Sequence, residues 1–436
     1  MMPIDKTHDA ARRSWVESAN TADTDFPIQN LPLGIFSLDG KDKRPGVAIG
    51  TSVLDLRALN GSSLMPQDLS GLLSSDSLDP LFSAGVDTIG RLRTVVGDLL
   101  SANCSDAALA AMPTAALVSM TEVQMHLPSS VRSYTDFYCG IFHAEEVGRI
   151  VGSDPLLPRN YLSMPIGYNG RASSVRVSGE TIVRPLGQRL TDDRPEFGPT
   201  RRLDFELELG AFVAGLNALG EPISIGDASQ RIAGYCLLND WSSRDIQFWE
   251  MTPLGPFNGK GFSTTISPWM VTQQAMAPFR TKLMKRIAGR PEPLSYLLDR
   301  DDQETGALDF RLAAEFSTAA MREAGIPAVK IIGTNARHLY WTFAQMITQH
   351  DCGGVSLCPG DIIGSGTISG PSREMAGSLL ELCTAGEAPL RLPGGDQRSW
   401  LEDGDEITFL GRCERAGFVA IGFGPCSGRV APAPAF

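Results

Sequence analysis

The chain reads as mainly β with some α, and three observations carry that reading. Glycine and proline are both abundant, 45 and 29 among 436 residues, which marks many turns. Apolar runs are numerous and short, as strands require. Leu203-Asp204-Phe205-Glu206-Leu207-Glu208-Leu209 alternates strictly between apolar and acidic residues, the period of a strand.

The elements follow in order. Residues 31–56 read as short strands broken by Gly40, Gly46 and Gly50. Residues 66–111 are the most helix-like part of the first third, with apolar residues at loose helical spacing around Leu92, Val95, Val96, Leu99 and Leu100. Residues 121–128 look like a connection, so a domain boundary is placed there, with one domain over 1–128 and a second over 129–436. In the second part, strands are expected at 174–177, 204–213, 235–238, 310–316, 361–364 and 406–410. One helix is predicted over 335–349. Thr334 or Asn335 caps it, Leu339, Phe343, Met346 and Ile347 form its stripe, and Gly353 lies past its end.

Composition narrows the class. Apolar content of 42% and charged content of 20% fit a soluble globular chain with room for two or three domains. A formal charge of -12 without a basic patch argues against a nucleic-acid binder. No apolar run approaches the roughly 20 residues a membrane helix needs, and residues 1–16 lack the apolar stretch of a secretory signal. The eight cysteines form no C-x-x-C pair and read as reduced thiols of a cytoplasmic protein.

The alternating segment also carries chemistry. In a strand, Asp204, Glu206 and Glu208 share one face, about 7 Å apart. Like charges that close repel unless a cation lies between them, and carboxylates converging from one strand suit a hard ion such as Ca2+ or Mg2+. A solvated acidic face explains the same pattern. In the run Asn239 to Gln247, Asp240 follows an apolar stretch at a strand end, where it is either a ligand or the N-cap of a helix over 241–250. Of five histidines, His143 lies in a segment rich in aromatics and glycine and suits proton transfer, with a core histidine as the plain alternative. His338 and His350 belong to the predicted helix, and His126 to the connection. Ser378-Leu379-Leu380-Glu381-Leu382 buries one carboxylate among leucines, which needs a partner, and a histidine would suffice. The glycine-rich stretch 253–265 carries Lys260 but lacks the spacing of a phosphate loop.

Together these segments resemble the fumarylacetoacetate hydrolase family, collinearly from Asp25-Phe26-Pro27 to Gly422-Phe423-Gly424. The strongest matches are Gly167-Tyr168-Asn169-Gly170-Arg171-Ala172-Ser173-Ser174-Val175, Asn239 to Gln247, Ser267-Pro268-Trp269 and Ser365-Gly366-Thr367-Ile368-Ser369-Gly370-Pro371. The resemblance implies an N-terminal SH3-like barrel, then a mixed β-roll catalytic domain of the fumarylacetoacetase type, usually in a homodimer. It implies Ca2+ or Mg2+ held by Asp136, Glu206, Glu208 and Asp240, with Asp204 outside that set, and a neighbouring cation site at Lys260 and Thr264. His143 matches the base that activates water and Glu381 its orienting carboxylate. Arg244, Gln247 and Lys260 match groups around the substrate carbonyl, and Tyr138, Tyr168 and Thr367 match substrate contacts.

The implied activity is hydrolysis of a carbon–carbon bond in a 1,3-diketo acid, fumarylacetoacetate to fumarate and acetoacetate by default, in tyrosine and phenylalanine breakdown. The chain departs from the family at Gly140, Ile141 and Phe142, at Met251 in place of a substrate-facing tyrosine, at Ser263 in place of a glycine, and where a carboxylate-binding arginine is expected. There only Arg149 is near. These departures leave an alternative: an enzyme of specialised biosynthesis on the same scaffold, acting as hydrolase, decarboxylase or hydratase/isomerase on a less acidic diketone or oxo acid.

Overall fold

A computed structural model describes residues 2–286, 289 and 292–436. The glycine-punctuated start forms a five-stranded antiparallel sheet in the order Leu117–Ser119, Ser52–Asp55, Arg44–Ile49, Leu33–Leu38, Val123–His126. The last strand lies in the segment expected to be a connection. Val123–His126 pairs with Leu33–Leu38, and His126 shares a 2.8 Å hydrogen bond with Ser37. Its polar, weakly alternating residues hid an edge strand, whose backbone is satisfied on one side only. Along the chain between Ser52–Asp55 and Leu117–Ser119 lie the helices expected over 66–111, of which Val86–Leu100 is the longest. That helix buries Ile89, Leu92, Val96, Leu99 and Leu100, while Val95 is only partly covered.

The second part is built around an eight-stranded mixed sheet. Its main path runs Gly167–Asn169, Tyr134–Phe137, Ile362–Gly364, Leu207–Val213, Ile232–Asp240, Thr264–Ile266, Val175–Val177. The Ile362–Gly364/Tyr134–Phe137 and Thr264–Ile266/Val175–Val177 pairs are parallel, and the other pairs along the path are antiparallel. Both faces are covered. Phe212, Cys236, Leu238 and Ile362 pack under the N-terminal layer, while Leu207, Leu209, Leu237 and Ile363 enter the second core. A further sheet runs Val329–Asn335, Arg311–Ser317, Glu406–Cys413, Cys426–Ala431, Thr181–Val183.

Two expectations need correction. The strand over 204–213 is interrupted: Leu203–Asp204 pairs with Ser242–Ser243, and the long strand begins only at Leu207. The helix over 335–349 is three elements. Strand Val329–Asn335 pairs with Arg311–Ser317, a short turn Ala336–His338 follows, and the helix proper is Phe343–Asp351. Asn335 does cap, but it caps the short turn, accepting from Arg337 N–H. Thr342 caps the helix, with Gln345 completing a reciprocal capping box. Helical spacing of apolar residues continued backwards through Leu339, which is buried for a different reason, the packing of Tyr340 and Trp341 into the core. Among the described residues, no helix is long and apolar enough to cross a membrane.

Candidate active site

Sheet register brings the acidic residues together. Glu208 lies opposite Leu238, so it shares a face with Asp240 two residues further along. Asp136 lies beside Gly364, which pairs with Gly210 on that same face. Gly364 is required there, since a Cβ would stand 2.7 Å from Asp136 Oδ1. Glu206 arrives from the kink just before the strand. Asp136, Glu206, Glu208 and Asp240 each offer an oxygen within 4.8 Å of the others, and none is more than 4% exposed. The solvated acidic face is therefore excluded. Asp240 is not a helix cap either, because the helix Arg244–Glu250 starts after Ser243.

Asp204 turns away from this cluster at the strand break. Its carboxylate accepts from Arg244 Nε at 2.9 Å and from the backbone N–H groups of Leu379 and Leu380 at 2.8 and 3.0 Å. It thus ties Arg244 to the short helix Leu379–Leu382 that carries Glu381. Nothing in the alternation distinguished it from Glu206 and Glu208, since the pattern is blind to the kink.

Lys260, on the short helix Asn258–Gly261, inserts its ammonium between Glu206 and Asp240, 2.6 Å from Asp240 Oδ2. Burial would favour the neutral amine, but these two carboxylates hold its pKa above the ordinary value. A protonated ammonium has no lone pair for a metal, so the Lys260 side chain is itself the cation at this position. Thr264 Oγ donates to Asp240 Oδ1 at 3.3 Å. Tyr168 OH lies 2.9 Å from both Asp136 Oδ2 and Asp240 Oδ2.

The remaining charges are uneven. Burial would raise Glu206, but Lys260, Arg244 and His143 outweigh it and hold its carboxyl well below the usual range. Burial and neighbouring carboxylates push Asp136 and Glu208 far up, and burial raises Asp240 against the pull of Lys260. Asp136 Oδ1 and Glu208 Oε1 are buried with no hydrogen-bond partner. Four carboxylates facing one lysine, with two orphaned oxygens, form an all-oxygen donor set that fits a hard divalent cation.

His143 lies in the first turn of helix Ile141–Ile150 and is buried. Its Nδ1 is 2.8 Å from Glu381 Oε2, the histidine partner that the buried glutamate required. Glu381 also accepts from Ser378 Oγ at 2.8 Å and Gly377 N–H at 3.2 Å. Burial would raise its pKa, yet His143 and these bonds keep it below the usual value. An ionised Glu381 fixes the proton on Nδ1 and leaves Nε2 facing the cluster, 3.9 Å from Glu206 Oε1. Gly140 precedes this helix, where a Cβ would strike the Thr367 carbonyl at 2.1 Å.

Asp136, Glu206, His143, Tyr168, Arg244 and Lys260 border one cleft of about 530 Å³, while Glu208, Asp240 and Glu381 do not line it. Its floor holds His143, Tyr138, Tyr168, Glu206, Arg244, Gln247, Lys260 and Thr367. Arg244 donates to Gln247 Oε1 at 3.2 Å and to Glu206 Oε1 at 2.8 Å. Met251 lies at the mouth, 38% exposed. Arg149 does not join them, because its guanidinium pairs with Glu145 and Glu146 and borders a separate cleft. Sequence reasoning missed the apolar wall of the mouth, although Val147 and Val151 are one helical turn apart on the His143 helix.

The mixed sheet, the histidine–carboxylate pair and the two cations frame an enzyme site whose buried carboxylates could hold a metal ion. The comparisons narrow this class. Residues 132–431 match the fumarylacetoacetate (FAA) hydrolase C-terminal family, and residues 29–128 match the fumarylacetoacetase N-terminal family. The chain is 41% identical over 434 residues to fumarylacetoacetase of Oryza sativa subsp. japonica, covering 97% of each chain. It is 42% identical over 425 residues to fumarylacetoacetase of Homo sapiens, covering 94% of this chain and 97% of that one. In fold it is similar to a fumarylacetoacetate hydrolase from psychrophilic Exiguobacterium antarcticum, with a TM-score of 0.51, 15% identity and coverage of 92% and 99%. The chain belongs to the fumarylacetoacetate hydrolase family.

Proposed function

We propose that the protein hydrolyses a carbon–carbon bond in 1,3-diketo acids, with fumarylacetoacetate, cleaved to fumarate and acetoacetate, as the reference substrate. The observation that carries this reading is the His143–Glu381 pair beside a buried carboxylate cluster, with His143, Asp136 and Glu206 bordering the same cleft. The relatives' names point to the same reaction.

Asp136, Glu206, Glu208 and Asp240 would hold Ca2+ or Mg2+. When bound, the ion polarises the diketone oxygens as a Lewis acid. His143 Nε2 takes a proton from water, and the hydroxyl oxygen bonds to one carbonyl carbon. Glu381 holds the Nδ1–H and stabilises the imidazolium. Arg244, Gln247 and Lys260 donate to the tetrahedral oxyanion. As the oxyanion collapses, the carbon–carbon bond breaks and its electron pair leaves as an enolate. A proton returned to that carbon gives the ketone product, and the attacked carbon ends as a carboxylic acid. Tyr138, Tyr168, Met251 and Thr367 contact the substrate. Thr264 supports Asp240, and with the loop of Lys260 it borders the neighbouring cation position.

The reading extends to a two-domain division near residue 128, in keeping with the separate family matches on either side. It includes a cytoplasmic location, in keeping with eight free cysteines. It also includes a homodimer, favoured by exposed Leu190, Phe197 and Phe436.

The test is loss of freshly generated fumarylacetoacetate, followed by absorbance with and without EDTA. Chelation should abolish turnover and lower Tm, and Mg2+ or Ca2+ should restore both. Turnover that survives complete chelation would reject the metal-dependent reading.

A further inference from the structure

The cleft has two unlike ends. At the inner end both cations are already committed, Arg244 to Asp204 and Glu206, and Lys260 to Glu206 and Asp240. The outer end is lined by Val147, Val151, Leu156, Phe248, Met251 and Leu254. Among the described residues, Arg244 and Lys260 are the only arginine and lysine bordering this cleft. Arg149 borders a different cleft, paired with two glutamates. Arg171 borders a third, of about 220 Å³, beyond Tyr168 and Lys260, where its guanidinium lies 6.0 Å over Phe257. A carboxylate lying along the outer wall would shed water and meet no cation, with the Ser153 hydroxyl the one side-chain donor among the described residues there. An alkyl or aryl arm there would gain from burial, and the cleft lies within the roughly 300–1,000 Å³ that takes a drug-sized ligand.

We propose that the substrate arm beyond the reacting diketone is uncharged and apolar, lying along Val147, Val151, Leu156 and Met251. Diketo acids with such an arm are turned over faster than the dicarboxylate fumarylacetoacetate. The proposal rests on the hydrolase reading above and specifies its substrate class.

The test compares fumarylacetoacetate with 3,5-dioxoalkanoates R–CO–CH2–CO–CH2–COO⁻ in which R is propyl, pentyl or phenyl. Each consumes one water to give R–COOH and acetoacetate, so one acetoacetate assay serves all four. From propyl to pentyl, kcat/KM should rise roughly fourfold per methylene, and pentyl should exceed fumarylacetoacetate by about tenfold or more. A readout independent of turnover is calorimetric binding of the product acids, where hexanoate should bind about tenfold tighter than fumarate. Val151→Arg places a cation on the outer wall. Val151 is 53% exposed and follows the last helical turn, so an arginine there is tolerated. This variant should raise kcat/KM for fumarylacetoacetate about tenfold and narrow the gap between the two acids.

Fumarylacetoacetate equal to or better than the pentyl compound, with fumarate bound as tightly as hexanoate, would overturn the apolar arm and leave the reaction class standing. Failure of the Mg2+- or Ca2+-loaded protein to hydrolyse any of the four would overturn the reaction class itself.

Discussion

The floor and the outer wall of the cleft are made differently. The floor is charged, its charged side chains are buried, and it is carried largely on helices and strand ends that surround the mixed sheet. Its carboxylates and cations are paired with one another, while Asp136 Oδ1 and Glu208 Oε1 have no hydrogen-bond partner. The wall is apolar and comes from the ends of two helices and the loops that follow them, with Leu254 at its rim 97% exposed. The contrast bears on the proposed reaction and its selectivity: the groups assigned to the reaction are held by ion pairs and hydrogen bonds, while those assigned to the variable part of a substrate stand where the chain tolerates change.

The largest test of that division is Glu206→Ala. It removes the shared acceptor of Arg244 and Lys260 and one carboxylate of the cluster. Stability should fall by about 3–5 kcal/mol, because buried cations lose their partner. Calorimetry should show loss of Ca2+ and Mg2+ binding together with turnover. A variant that keeps both would place the metal elsewhere.

His143→Ala breaks the floor more selectively. Turnover should drop on the order of 100- to 10,000-fold while metal binding persists. Near-normal kcat would exclude His143 as the base.

Asp204→Asn probes the seam between charge network and fold. The side chain keeps its shape but loses the charge that anchors Arg244 and caps the Glu381 helix. The expected loss is on the order of 10- to 100-fold in kcat with KM nearly constant, since the residue acts through Arg244 and Glu381. A loss confined to Tm, with unchanged kcat, would make Asp204 purely structural.

The smallest effect comes from a carboxylate remote from both regions and serves as a control on pH. Burial pushes Asp302 up to about 6, with a 2.9 Å hydrogen bond from Thr342 Oγ pulling the other way. Its folded pKa lies above its unfolded one, so between about pH 4 and 6 the folded state binds the extra proton and stability falls as pH rises. Asp302→Asn should raise stability on the order of 1 kcal/mol at pH 7 and leave it unchanged near pH 4. Denaturant melts at the two pH values measure it, and an equal effect at both would refute the shift. Because Asp302 is outside the cleft, the pH profile of kcat should not move.

How much was legible in the residues differs between the two regions as well. Glu206 and Glu208 were visible as a face because strand periodicity is local, and Glu381 was visible as a buried charge needing a partner. Periodicity left His143 one histidine among five; its aromatic, glycine-rich segment and the family resemblance singled it out, and the fold sets its Nδ1 2.8 Å from Glu381. Of the wall only Met251 was read, as a departure from the family. Val147, Leu156 and Leu254 come from a helix end and separate loops, and ordinary apolar residues carry no mark of what they face. The edge strand Val123–His126 and the helix start at Thr342 were misplaced for a related reason, since pairing and capping partners decide boundaries more than periodicity does.

The sequence by itself determined the β-rich class, the N-terminal helical insert, the alternation that supplies carboxylates and the collinear motifs that place the chain in its family. These depend on local periodicity, turn residues and composition, which are complete in one dimension. The tertiary structure alone decided that Asp204 turns to hold Arg244, that the Lys260 ammonium lies between Glu206 and Asp240, that Arg149 faces elsewhere, and that the mouth is apolar. Each of those outcomes depends on a kink, a register or a side chain's burial, and so on partners distant in the chain.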